Sequence, residues 1–301
     1  MSDINTIFRE VREYVPAEVA VRKKYISNLQ QITQRNIVLY YSAWLQRGGN
    51  VPFGIDDTDM NGFMVAFKEL APSKGLDLIL HTPGGVLSAT EAIIRYIRSV
   101  FGTNIRVIVP QLAMSAGTLV ALAAKEIIMG HHSNLGPIDP QIMNLPAQAI
   151  LTEFETAKRE IKKDPSSIPL WQVIIQKYHP AFLNNCHRAV NWSRELAKEL
   201  LLTGMFEQAA GDHQAVEESI VDSIVASLAD PDVSKSHDRH FSAEACKAFG
   251  LKINLLNADK ELHDAVLAVH HAVLCSMSQS STIVKLIENH NNQSYIMGVS
   301  K

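Results

Sequence analysis

The sequence predicts an α/β fold in which a parallel sheet carries helices on its faces. Three observations carry this. Short apolar, β-branched runs recur along the first half of the chain. Each runs into a turn built from Gly, Pro or Ser and then into apolar residues at helical spacing. The connections are short, which suits a strand–turn–helix repeat rather than separate sheets and bundles.

The elements follow in order. Residues 1–35 read as a polar helical segment. RNIVLYYSAWL (35–45) is β-branched and aromatic and reads as a strand turned at Gly48-Gly49. DTDMNGFMVAFKEL (57–70) opens on a capping Asp and places Phe63, Ala66, Phe67 and Leu70 at helical spacing. LDLILHT (76–82) is the kind of mostly apolar run that a parallel strand buried on both faces requires. PGG then turns the chain into the helix SATEAIIRYIRSV (88–100). NIRVIVP (104–110) is a second buried strand, SAGTLVALAA (115–124) opens a helix, and EIIMG (126–130) is a third strand.

From about 147 to 228 strand signals vanish. AQAILTEFETAKREIKK and HRAVNWSRELAKELLLTGMF have helical periodicity, so a helical insertion or cap is expected. ADPDVSKSHDRH (229–240) reads as a polar loop. SAEACKAFGLKINLL reads as a helix, a Gly250 C-cap and a strand. The tail reads as a long helix (258–278) followed by a shorter one (280–289). The boundaries that result are an N-terminal helical segment (1–35), a core carrying the central chemistry (36–146), the insertion (147–228) and a C-terminal completion of the core with terminal helices (229–301).

Composition narrows the function classes. The 301 residues carry a formal net charge of −3 with 20% charged residues and no Lys/Arg block, which argues against nucleic-acid binding. Cys186, Cys246 and Cys275 are few and widely spaced, so neither a disulfide framework nor a zinc knuckle is expected, and a reducing, cytoplasmic compartment is. MSDINTIFREVREY lacks the apolar core of a secretory signal. The uncharged windows Val107–Ala124 and Ala265–Val284 are interrupted by polar residues, and no stable membrane span is expected.

Several motifs can be weighed for chemistry. DTDMNG resembles the opening of an EF-hand loop, but the closing position is Lys68, where calcium needs a bidentate Glu. His237/His240 and His270/His271 lack an accompanying ligand pattern, so no metal or other cofactor is expected. Ser115, in LAMSAGTL, stands between a strand and a helix whose free N–H groups favour developing negative charge; alone it reads more readily as a capping serine beside a packing glycine. Gly84-Gly85 stand at the corresponding turn one βα unit earlier, where a backbone N–H can face an oxyanion or merely close a tight turn. The pair is more informative. Adjacent parallel strands would bring both turns to one sheet edge, the place where α/β sheets gather their chemistry. A nucleophile facing a glycine N–H makes an acyl-transfer site.

These motifs carry a family resemblance. PGG followed by MSAGT resembles the ClpP/crotonase superfamily, in particular its serine peptidases, the Clp protease proteolytic subunit and signal peptide peptidase A. DRHFSAEACKAFGL (238–251) is similar to a Clp-subunit segment that leads with the triad aspartate. RNIVLYYSAWLQ, GLDLILHTPGG, IRVIVPQLAMSAGT, SNLGPIDPQ and KLIENH together resemble the serine dehydrogenase proteinase family, from about residue 21 to 295. The resemblance implies a ClpP/crotonase-like ββα superhelix with a helical insertion and helical terminal additions. It implies a serine peptidase with Ser115 as nucleophile, Gly85 and Ala116 as oxyanion donors and Asp238 as the acid. It also implies a polypeptide substrate pairing with Gly84 and with Leu135, Gly136, Pro137 and Asp139, and a homo-oligomer. There is no ATP motif, so the peptidase would be ATP-independent.

The general base is left open. The Clp subunit carries its histidine on the strand after the nucleophile helix, which here falls near Ile138-Asp139, and no histidine stands there. His131 and His132 come too early and read as turn residues. Lys158 leads as a lysine base of the signal-peptide-peptidase kind, bordering an apolar stripe; the alternative is a surface lysine. His237 is second, and Asp139 either orients a base or closes the groove. Two other functions stay open: a crotonase-type acyl-thioester enzyme using the same oxyanion hole, and a non-catalytic assembly or interaction protein.

Overall fold

The computed structural model describes residues 17–49, 51–143, 145–207, 212–230 and 236–299, with Ile4 and Val233. The polar N-terminal segment expected over 1–35 therefore falls partly outside the described residues, as do parts of the 229–240 loop.

In chain order the elements are α1 (Ala17–Thr33), β1 (Asn36–Ser42), α2 (Asp59–Phe67), β2 (Leu76–His81), α3 (Leu87–Phe101), β3 (Ile105–Val109), β4 (Leu112–Ala113), α4 (Ala116–Leu122) and β5 (Glu126–Met129). Then come β6 (Asn134–Leu135), β7 (Gln141–Ile142), β8 (Leu145–Pro146), α5 (Ala147–Lys163), α6 (Ile168–Ile175), α7 (Phe182–Leu202) and α8 (Asp212–Ala229). The chain closes with β9 (Phe241–Ser242), α9 (Ala243–Phe249), β10 (Ile253–Leu255), α10 (Lys260–Gln279), β11 (Ile283–Asn289) and β12 (Ser294–Gly298).

The main sheet has the strand order β10-β5-β3-β2-β1-β11-β12. The pairs from β10 to β1 are parallel, and β11 and β12 add antiparallel at one side. Alternation along β1 sorts the two cores. Val38 and Tyr40 face the helices α2, α3, α4, α7, α8 and α9, whereas Ile37, Leu39 and Tyr41 face α1 and α10. A third, smaller core joins α5 to α7 through Ile150, Leu151, Phe182, Cys186 and Val190.

The C-terminal region corrects one expectation. Residues 283–289 form β11, not a short helix, and β11 sits inside the sheet against β1. Two charged residues, Lys285 and Glu288, hide the strand pattern, and both are buried by pairing. Glu288 receives the guanidinium of Arg22, which also donates to Ser276 Oγ at 3.0 Å. Arg22 shows that α1, read as polar, presents a buried face with Val21, Ile26 and Leu29. No helix among the described residues is long and apolar enough to cross a membrane.

Candidate active site

A three-stranded ribbon, β4-β6-β9, assembles the site beside the main sheet. Ala113 pairs with Leu135 in the parallel β4–β6 pair, and Leu135 pairs with Phe241 in the antiparallel β6–β9 pair. These three residues form one row. Ser115 follows the end of β4, Asp139 follows the end of β6, and His237 precedes the start of β9. Because β9 runs antiparallel, its beginning lies beside the ends of the other two. Three residues far apart in sequence thus reach one edge.

Ser115 occupies a strained turn, with φ 51° and ψ −116°. A non-glycine residue there costs about 1–3 kcal/mol and persists only where its surroundings hold it. They do so here. Met114 N donates to Thr82 O at 3.0 Å, Thr82 N to Leu112 O at 3.1 Å, and Gly117 N to Met114 O at 2.8 Å. Gly136 lies so close that a Cβ on it would meet Ser115 N at 3.0 Å. Thr118 Oγ1 secures that contact, accepting from Gly136 N at 3.0 Å and donating to Gly136 O at 2.8 Å.

The Gly84-Gly85 turn packs on the serine from the other side. Gly84 has φ 101°, and a Cβ there would meet Ser115 Cβ at 2.7 Å, so only glycine fits. A strap at residues 54–56 clamps the turn. Ile55 N donates to Gly84 O at 2.7 Å, and Val86 N donates to Ile55 O at 2.8 Å. A trans peptide sets its C=O and its N–H on opposite sides. With Gly84 O turned to Ile55, the Gly85 N–H is aimed away from the strap. Among the described residues, neither Gly85 N nor Ala116 N donates to a backbone acceptor.

A cavity of about 400 Å3 opens here, lined by Gly85, Ser115 and Ala116 together with Leu119, Ser193 and His237. His237 Nδ1 lies 2.8 Å from Asp139 Oδ1, with the carboxylate side chain 6% exposed. A carboxylate only accepts, so Nδ1 carries the proton of a neutral ring and Nε2 carries its lone pair. The insertion helices fix the backbone next to Asp139. Ser193 Oγ on α7 donates to Ile138 O at 2.6 Å, and Ile138 N donates to Leu228 O on α8 at 3.0 Å.

The other expected residues fall elsewhere. Lys158 is 71% exposed, pairs with Glu155 at 2.6 Å and lines a separate groove between α5 and α7. Burial is what would turn a lysine into a base, and Lys158 has none. Asp238 is exposed, and its N–H donates to Ser236 Oγ at 3.3 Å. Of the segment expected to pair with substrate, Leu135, Gly136 and Pro137 are buried, and Ile138, Pro140 and Gln141 line the cavity instead. His131 stands in a turn and pairs with Glu244 at 2.9 Å. The EF-hand-like segment has a different explanation: Asp59 is buried against Tyr40 and Lys285. No group of three or more His, Cys, Asp or Glu among the described residues is placed to hold a metal ion. Sequence reasoning did not single out Ile55, Thr82, Thr118 or Ser193, whose roles are to hold backbone.

A strained serine between strand and helix, facing a Gly-Gly turn at the edge of a parallel sheet, defines a ClpP-like serine proteinase arrangement. Residues 53–262 match the family described as ClpP-like SDH-type serine proteinase, and the chain belongs to that family. It is also similar to two uncharacterized proteins of Methanocaldococcus jannaschii. One is 42% identical over 97 residues, 32% of this chain and 34% of the relative. The other is 47% identical over 79 residues, 26% of this chain and 27% of the relative. The chain thus spans about a third or less of these relatives' length in the matched stretch.

Proposed function

We propose that the protein is a serine peptidase in which Ser115, His237 and Asp139 form the catalytic triad. The single observation that carries this is the Asp139–His237 pair reaching the cavity of Ser115. In the Clp subunit the base stands after the nucleophile helix and the acid before the SAxEA segment. Here an aspartate, Asp139, stands at the first place and a histidine, His237, beside the second. The two chemistries have exchanged positions, which explains why no histidine stands at 138–139.

Ser115 Oγ attacks the scissile carbonyl carbon while His237 Nε2 takes its proton. The carbonyl π pair moves to oxygen, and the N–H groups of Gly85 and Ala116 receive that charge. Collapse breaks the C–N bond, and His237 protonates the leaving amine. Water repeats the sequence through the same base and frees Ser115. Asp139 holds the imidazole in the tautomer that leaves Nε2 basic.

The substrate is an extended polypeptide lying along Ile138–Gln141. The protein works without ATP, in the cytoplasm, where its three buried, unpaired cysteines stay reduced. It acts as a homo-oligomer, to which α6 contributes: Ile168, Leu170 and Val173 are exposed, and no residue of that helix is buried.

A fluorophosphonate probe tests the nucleophile. The expected result is one adduct, located by mass spectrometry on Ser115, and none in Ser115→Ala. An unlabelled Ser115 in the folded protein favours the non-catalytic reading. A second comparison tests the base. Lys158→Ala is expected to keep its labelling rate within about twofold of the parent, as surface changes do. A tenfold or larger drop would return the base role to Lys158.

A further inference from the structure

We propose that Lys285 is a positioning residue for the oxyanion hole, acting through the strap at residues 54–56. The inference rests on the serine peptidase reading.

Lys285 lies on β11 and is 1% exposed. Its ammonium has three hydrogens and three acceptor groups: Gly54 O at 2.8 Å, Asp56 Oδ2 at 2.8 Å and the Asp59 carboxylate, with Oδ2 at 3.0 Å and Oδ1 at 2.9 Å. A buried ammonium tolerates little displacement once all its hydrogens are engaged. Its acceptors are themselves fixed. Asp59 Oδ2 also accepts from Tyr40 Oη at 2.8 Å and from Asp56 N at 3.0 Å. One residue earlier, Ser42 Oγ donates to Phe53 O at 2.7 Å. The strap is thus tied to β1 and β11 at Phe53, Gly54 and Asp56.

Ile55, the residue between those ties, makes both bonds to the Gly84–Val86 turn. The chain of contacts runs from Lys285 to Gly54 O, through Ile55, to Gly84 O, and so to the direction of the Gly85 N–H. Packing leaves the turn no slack on the strap side, because a Cβ on Gly85 would lie 2.2 Å from Ile55 N. Rotating the Gly84–Gly85 peptide breaks the Ile55–Gly84 bond and turns the Gly85 N–H away from the developing charge. The acidic segment that imitates a calcium loop has its cation already, and that cation belongs to the protein.

The test uses the full-length protein and a p-nitrophenyl ester, with its thionoester counterpart. Sulfur accepts hydrogen bonds poorly, so an intact oxyanion hole favours the oxygen ester and a damaged one loses that preference. Lys285→Met/Asp59→Asn removes the buried charge and one countercharge together. The expected result is a folded protein with kcat for the ester down about 10²-fold or more and KM within about threefold. The ester preference over the thionoester is expected to fall at least tenfold. Should the double variant not fold, Tyr40→Phe decides, by loosening Asp59 without altering charge: a smaller fall in kcat, with the same fall in ester preference, is expected. An ester preference equal to the parent's, in whichever of these variants folds, overturns the assignment. Absence of parent turnover with Ser115 unlabelled removes the peptidase reading itself, and this inference with it.

Discussion

His237→Ala is expected to lower kcat for peptide hydrolysis about 10⁶-fold, and Asp139→Asn about 10⁴-fold, the losses that serine triads show for a missing base and a misdirected one. The two changes act differently. Alanine removes the acceptor for the Ser115 proton. Asparagine leaves the ring in place, but its amide can donate to Nδ1 and so stabilise the tautomer whose Nε2 carries the hydrogen. KM is expected to move little in either variant, because neither group binds the substrate's remote parts. The double variant is expected to be no slower than His237→Ala alone, since members of one catalytic unit are not additive. Steady-state rates for the three variants at saturating peptide check this. A His237→Ala protein within tenfold of the parent excludes the histidine as base.

The second large effect is on stability. Burial pushes the His81 imidazole down to about 3 and that of His270 well below its ordinary value. The neighbours explain the direction. The His81 ring lies tilted against those of Trp44 and Tyr41, its centroid 5.3 Å from that of His270. An unfolded chain binds a proton at each of these sites below about pH 6.5, whereas the native state does not. Stability from these groups is therefore full above pH 6.5 and falls below it, for His81 by about 1.4 kcal/mol per unit down to about pH 3 and for His270 in the same direction. Between pH 7 and pH 5 His81 alone is expected to cost about 2 kcal/mol, and His270 adds in the same direction. Asp59, whose carboxyl is raised by burial, works in the opposite sense. Urea unfolding at a series of pH values checks the slope. In His270→Gln the slope is expected to fall, and a parent curve flat from pH 7 to pH 5 contradicts the account.

Ser115 and Gly85 were legible in the sequence because each sits at a local strand–turn–helix junction, and neighbouring parallel strands make their meeting a consequence of topology. The buried strands β2, β3 and β5 were legible for a similar reason: their apolar runs suit burial on both faces. The base was not. His237 and Asp139 meet through β4, β6 and β9, strands of two residues each, too short to leave a periodic signature. Exposure, which sets Lys158 apart from the cavity, depends on how α5 packs against α7, and helical phase alone leaves a residue bordering an apolar stripe on either side of that line. In the sequence, strand β11 looks like a helix because Lys285 and Glu288 look solvated until their partners Asp56, Asp59 and Arg22 are known. Each of those partners lies more than two hundred residues away in the chain, beyond the reach of any local pattern.

One feature of the helical insertion bears on how such a protein can change. Ile138 hangs from α7 by the Ser193 hydroxyl and from α8 by the Leu228 carbonyl, and Asp139 is its neighbour. The insertion is therefore a keystone and not an ornament: trimming the chain to its parallel sheet would release the backbone that leads into Asp139. The inward sides of α7 and α8 are therefore coupled to the backbone beside Asp139, although neither helix belongs to the parallel sheet.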